Sequence, residues 1–344
     1  MTQVSMVAVD LAKSLFEVYG PDDETGKLVL RGRRSRSGLR KLFASLPPCR
    51  VGMEACATAH YWAREIAALG HEVVLIAPSR VRAFVPRGRK NDATDAAAIY
   101  EAMSQSRTRF IAVKSVDQQA ILMLHRSRKL LVEQRTRLGN ALRAHLAELG
   151  IVARQGTAGL EALLAVVADE RDARLPAPAR AALAALAAQR DNLDREIAEL
   201  ERRITAWHDT DAASRRLATI PQIGPIIASA AVATIGDARR FDGGRQCAAW
   251  LGLVPSQHST AGKTRLGPIT KAGDRYLRQL LVVAASGMIR RVRRDPGLCP
   301  WLAGLLARMP AKQAAVAYAN KLARIIWALL ARGETYRAPA GRAA

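Results

Sequence analysis

Close pairs of cysteines are missing from this 344-residue chain. Cys49, Cys56, Cys247 and Cys299 offer neither the ligand spacing of a zinc knuckle nor a disulfide framework, and such usage fits a reducing cytosol. The N-terminus lacks a basic segment leading into an apolar run, because Asp10 interrupts the one candidate. No stretch reaches the roughly 18 apolar residues of a membrane span, so a cytoplasmic protein with no membrane partner is expected. Acid is also scarce. Thirty Asp and Glu stand against 53 Lys and Arg, giving a net charge of +23 and a pI near 11.0. An Arg-biased coding sequence would raise Asp and Glu little less than Arg, so it does not account for the imbalance. A field of this size draws polyanions, of which nucleic acid is the commonest.

With 49% hydrophobic and 24% charged residues the chain is globular, and long enough for two or three domains. Residues 1–112 read as α/β. "VSMVAVDLAKSLFEVYG" gives two strands, with Asp10 closing the first, and "GKLVLRGRR" a third that completes a meander. "LRKLFASL" follows as a helix, then a short strand ending near Glu54, then the helix "AHYWAREIAALG", closed by Gly70. "EVVLIAP" is a fifth strand and "NDATDAAAIYEAM" a helix, so one mixed sheet covered by helices is expected. Residues 113–212 read as a helical connector. Leu124, Leu131 and Leu138 lie seven apart on one long helix, and Leu183, Leu186, Leu193, Ile197, Leu200 and Ile204 mark a second that starts at Pro176 and Pro178. This coiled-coil seam suits a hairpin within the chain or a pairing between subunits. Residues 213–335 are mainly helical. They open with "IPQIGP", the turn of a helix-hairpin-helix element, where amides around Gly224 can hold a DNA phosphate. Residues 336–344 form a small polar tail.

Four carboxylates stand out by position. Asp10 and Glu54 end two strands, while Asp92 and Asp95 lie three apart on one helical face. Taken singly, each has an ordinary structural explanation as a cap or first-turn charge. Gathered at one rim of a sheet they form a hard-oxygen ligand set suited to Mg2+ and to in-line phosphoryl displacement. Arg87, Arg89 and Lys90 precede the D-x-x-D and would bring phosphate to it. The strand order and the four acids resemble a RuvC-like (RNase H-like) nuclease core.

"PSQHSTAGKTRLGPITKAGDRYLR" at 255–278 combines hydroxyls with Lys263, Arg265, Lys271, Arg275 and Arg278. A nucleotide-binding phosphate loop is excluded, because its first glycine would fall on Gln257. A solvated linker and a nucleophile both remain open. As a nucleophile, a serine flanked by cations could attack a DNA phosphodiester and conserve its bond energy.

The motifs "VAVDLAK", "GMEA", "KNDATDA", "IPQIGP" and "WLGLVPSQHSTAGKTRLGPITKAGDRYLR" span nearly the whole chain. Together they resemble the DEDD/serine transposases of the insertion-sequence one-ten family, relatives of the Piv invertases. The resemblance implies a RuvC-like domain, a coiled-coil connector and a C-terminal transposase domain. It also implies donor and target DNA recombined under the guidance of a structured bridge RNA, with homodimers assembling to a tetramer. The family's acidic positions fall on Asp10, Glu54, Asp92 and Asp95, and its nucleophilic serine on Ser259, with Ser256 and Thr260 as alternatives. Family members usually carry two glycines after the hydroxyl pair, the first of which is Ala261 here. A RuvC-like nuclease or hydrolytic transposase without a covalent serine step is the competing enzyme, and an architectural nucleic-acid binder the non-enzymatic alternative.

Overall fold

The computed structural model describes residues 3–86, 92–260 and 263–337. The chain divides into two compact units, Met1–Ser115 and Val116–Ala344. In the first unit, β1 (Met6–Asp10), β2 (Leu15–Pro21) and β3 (Leu28–Ser35) form the expected meander. They are followed by α1 (Arg36–Ser45), β4 (Arg50–Glu54), α2 (Ala59–Ala67), β5 (Glu72–Ile76), α3 (Pro78–Val81), α4 (Asp92–Ser104) and β6 (Phe110–Ile111). The sheet order is β3-β2-β1-β4-β5-β6, with β1, β4 and β5 parallel. The two-residue β6 is too short to leave a periodic signal in the sequence.

The three parallel strands are apolar without alternation because helices cover both faces. Val7, Val9, Val51, Met53 and Leu75 face one layer, with Leu39 and Phe43 of α1 and Trp62 and Ile66 of α2. Ala8, Val74 and Ile76 face the other, against Ala98, Ile99, Ala102 and Met103 of α4. Odd-numbered residues of β1 and β4 therefore look toward α1 and α2, and even-numbered ones toward α4.

The second unit begins with α5 (Val116–Glu148), α6 (Thr157–Ala168) and α7 (Ala177–Thr210). The long helices α5 and α7 pack along each other within the chain. The Arg128 Nε donates to Glu201 at 2.7 Å and the Arg135 Nη1 to Asp194 at 2.8 Å. On α7 the expected Leu183, Leu193, Ile197 and Ile204 are buried, while Leu186 and Leu200 are half-buried. On α5 the expected Leu124, Leu131 and Leu138 are only half-buried, and Ile121, Leu122, His125, Leu142 and Leu146 carry the core. Further partners share its burial. α6, which leaves no expectation in the sequence analysis, joins Leu142 and Leu146 through Leu163 and Val167, and Ala233 packs with Ile121 and Leu122, so α5 is not buried along a strict two-helix seam.

The unit continues through α8 (Ala212–Leu217), α9 (Pro225–Ile235), α10 (Gly244–Trp250) and a hairpin of β7 (Pro255–Gln257) and β8 (Leu266–Ile269). It ends in α11 (Arg275–Val292), α12 (Pro300–Leu306) and α13 (Ala311–Arg332), closed by Gly333 in the left-handed region. Among the described residues, α13 alone is long and apolar enough to cross a membrane by length and composition. The expectation drawn from run length stands, because Lys312, Asn320, Lys321 and Arg324 interrupt the apolar run of the helix. Ala315, Ala319, Leu322 and Ile326 of α13 are buried in the helical core with Leu251, Leu281 and Met288, as befits a core helix.

Candidate active site

Register gathers the acidic residues. β1 and β4 run parallel with Val9 opposite Met53, so Asp10 and Glu54 end neighbouring strands at the same rim. Both have even numbers, which turns them toward α4. The first turn of α4 carries Asp92 and Asp95, where the helix dipole favours negative charge. α4 can come this close because β4 has Gly52 at the contact. A Cβ there would stand 2.6 Å from Met103 Sδ. The convergence is felt at Asp10. Burial, then the charges of Asp95, Asp92 and Glu54, raise its carboxyl from an ordinary 3.8 to about 6. A partly buried carboxyl pushed up by three other acids is a site that a divalent cation would relieve, and all four donors are hard oxygens. Among the described residues no three such side chains already stand in closed metal-ligating geometry. Asp92 is instead paired at 3.1 Å with Arg33 of β3, which also lies 3.8 Å from Glu17. No local sequence signal marks Arg33, since its pairing depends on the fold. Arg87, Arg89 and Lys90 lie outside the described residues.

The 255–278 stretch resolves into a clamped hairpin. Ser256, on β7, donates its hydroxyl to the Pro268 carbonyl at 3.0 Å. Ser259, beyond the strand end, is exposed; its Oγ accepts from Gln257 Nε2 at 2.9 Å and from the Arg265 amide at 3.3 Å. Thr260 forms an isolated bridge with Lys263. Ala261 and Gly262 lie outside the described residues. The hairpin base is locked by backbone packing. A Cβ on Gly252 would stand 2.3 Å from the Ala272 amide nitrogen, and one on Gly273 2.1 Å from the Trp250 carbonyl oxygen. Both glycines have positive φ, so each is needed for conformation as well as space.

The model of the transposase IS116/IS110/IS902 family matches residues 214–297, which include the whole hairpin. The DEDD transposase model of IS110 type matches residues 7–151, which include all four acids. A probable family 20 transposase of Pseudomonas aeruginosa is 49% identical over 336 residues, covering 97% of this chain and 99% of its own length. This chain belongs to the IS110 transposase family. A transposase for insertion sequence element IS1328 of Yersinia enterocolitica is 40% identical, covering 98% of this chain and 99% of its own length. One for IS1111A of Coxiella burnetii is 37% identical, at 98% and 92%.

The remaining basic positions of this IS110-family chain differ in what they do. Lys263, Arg265, Lys271 and Arg275 are exposed around the hairpin and the start of α11. Arg278 is half-buried, and its Nη1 donates to the carbonyls of Leu251 and Ala272 at 2.9 and 2.7 Å, tying down the hairpin base. Gly224 is the N-cap of α9, and a Cβ there would meet nothing within 4 Å, so the turn lies open to a close partner. His125 is a further residue that no local sequence signal marks. This fully buried residue of α5 contacts Ser229 Oγ of α9 at 3.0 Å and the Tyr276 hydroxyl of α11 at 3.2 Å. Burial, helped by nearby Arg128, lowers its imidazole from 6.5 to about 4 and keeps it neutral. No motif marked it, because its partners lie more than a hundred residues away.

Proposed function

We propose that this chain is the transposase of a bacterial insertion sequence, and that it cleaves and rejoins DNA strands with Ser259 as the attacking group. The observation that carries the choice of serine is the contrast between two hydroxyls. Ser256 spends its proton on a backbone carbonyl, whereas Ser259 is exposed and only accepts hydrogen bonds. In the proposed step a bond forms between Ser259 Oγ and phosphorus, the bond from phosphorus to a deoxyribose oxygen breaks, and the seryl proton ends on that oxygen. The number of phosphodiester bonds is conserved, so a second strand can reverse the step without nucleotide hydrolysis. Lys263 and Arg265 flank the serine and would neutralise charge developing on the phosphate.

Asp10, Glu54, Asp92 and Asp95 would hold a divalent cation, with Mg2+ the proposed identity. Such an ion, when bound, polarises phosphate oxygens. The fold that carries these acids is proposed to be RuvC-like, which the mixed sheet with strand order β3-β2-β1-β4-β5-β6 supports. The 1–112, 113–212 and 213–335 segments are proposed as nuclease, connector and transposase parts. Guidance by a bridge RNA and a dimer-to-tetramer assembly are proposed from the family resemblance. The +23 charge supports binding to nucleic-acid backbones. Arg87, Arg89, Lys90, Gly224, Lys271 and Arg275 are proposed to contribute to nucleic-acid binding.

The test is a covalent one. Incubated with element-end DNA and guide RNA, the wild-type chain should yield a protein–DNA adduct that survives denaturing electrophoresis, and Ser259→Ala should yield none while still binding RNA. An undiminished adduct in that variant would falsify the serine assignment. Cleaved DNA with free ends and no trapped protein would favour hydrolysis at the acidic rim, a reading that the clustering around Asp10 also supports.

A further inference from the structure

Beyond the acidic rim and the serine hairpin, a concavity of the second unit lies between α10, α12 and α13, with a volume of about 1130 Å³. Trp301, at the start of α12, lines it and also lines a second cavity of about 1000 Å³. This indole is 43% exposed, whereas Trp62 is 3% exposed in the sheet core. Lys321 of α13 places its ammonium 4.3 Å from the Trp301 ring centroid, and the buried Tyr318 ring lies 6.3 Å away. An indole held by a cation and a second aromatic while keeping so much open surface is a preformed platform, not a core side chain left outside.

The groove is also charged for one kind of occupant. Arg245 and Arg324 are exposed on its walls, and neither has an ion-pair partner among the described residues. The one acid on the lining, Asp242, accepts from Gln246 Nε2. Two unpaired guanidinium groups beside an open indole match a phosphodiester backbone carrying an unstacked base. Pro255 and Ile269, which pair at the base of the β7–β8 hairpin, form part of the same wall. A strand lying in the groove is therefore led onto the hairpin that carries Ser259.

We infer that Trp301 stacks an unpaired base of single-stranded DNA, with Arg245 and Arg324 holding the adjoining phosphates. The occupant is DNA because the groove wall is continuous with the hairpin proposed to attack DNA. The binding itself involves no serine chemistry, so the two readings fail separately.

The experiment measures fluorescence anisotropy of labelled single-stranded DNA, about 12 nucleotides long, with the full-length chain. Site sizes of ~4–16 nucleotides are usual for such grooves. Trp301→Ala should weaken binding by about tenfold or more, and Trp301→Phe by much less, since a phenyl ring still stacks. An oligomer of the same length with abasic sites should bind wild type and Trp301→Ala alike. Arg245→Ala and Arg324→Ala should each lower the salt slope by about one. Photocrosslinking of a 5-iodouracil-substituted oligomer to the wild-type chain should label the peptide containing Trp301, which keeps the inference testable if the alanine variant does not fold. The inference is overturned by unchanged affinity in Trp301→Ala, by an equal loss on abasic DNA, or by labelling that spares that peptide. Trp301-dependent binding of an RNA oligomer but not of DNA would overturn it in favour of RNA.

Discussion

The acidic rim and the serine hairpin solve opposite problems. At the rim, like charges are forced together, which opposes folding, and the cost falls where buried strands and a packed helix can sustain it. Ala8, Ile76, Ala98 and Ile99 are buried on the sheet face that the acids share. At the hairpin the polar groups are exposed and the core is absent, so position comes from backbone close packing at Gly252 and Gly273 and from Arg278. A site that concentrates charge is built on the core. A site that must meet a polymer is held out from the surface and clamped at its base.

The largest expected effect tests the rim. Asp10→Asn should lower strand cleavage by at least ~10³-fold, the scale on which members of a cooperating catalytic set act. The same variant should leave the chain as stable or more so. Because the native carboxyl titrates near 6 rather than 3.8, the folded state holds more protons than the unfolded one between those values. Wild-type stability from this group is thus present below the lower value and lost as pH rises through 6. Asp10→Asn removes that loss and should gain about 1 kcal/mol at pH 7, after discounting for the group's partial exposure. Denaturant titration in chelator at pH 4 and pH 7 checks it.

His125 in the second unit should slope the other way. Its native value near 4 lies below the ordinary 6.5, so the neutral ring contributes stability above 6.5 that is lost as pH falls toward 4. Wild type should lose up to about 3 kcal/mol across that window relative to His125→Asn, measured by urea unfolding. Equal pH profiles for the two proteins would count against a buried neutral imidazole.

Gly52→Ala sharpens the comparison from the packing side. The added methyl meets Met103 and should cost ~1–3 kcal/mol, while cleavage falls further than stability explains because α4 carries Asp92 and Asp95. A thermal melt alongside a cleavage assay separates the two. The smallest effect belongs to Ser256→Ala, which removes one hairpin hydrogen bond worth ~1 kcal/mol and should leave the DNA adduct in place. Loss of the adduct in that variant would move the nucleophile from Ser259 to Ser256.

Much of the first unit was legible in the sequence. Strand-end acids, the Gly70 stop and the D-x-x-D helix all stand where their local signals put them, because each depends on neighbours within a few residues. β6 was not, since it is two residues long; α6 carries helical spacing at Leu160, Leu163, Leu164 and Val167 but is short beside its two long neighbours. The heptad on α5 misdirected the expected core because helix burial depends on every partner, and α6 and α9 were invisible from α5 alone. Arg33 and His125 went unnoticed because their partners are distant in the chain.

The sequence by itself determined the polyanion-seeking charge, the types of group present and the motifs that place the chain in its family. Those are properties of composition and short-range order. The tertiary structure decided which of these groups meet. Strand parity and parallel register turned Asp10 and Glu54 toward α4, and a glycine let that helix approach. Cross-strand bonding at Pro268 engaged one serine hydroxyl and left the other exposed. Convergence of that kind is a matter of long-range packing, which local sequence signals do not encode.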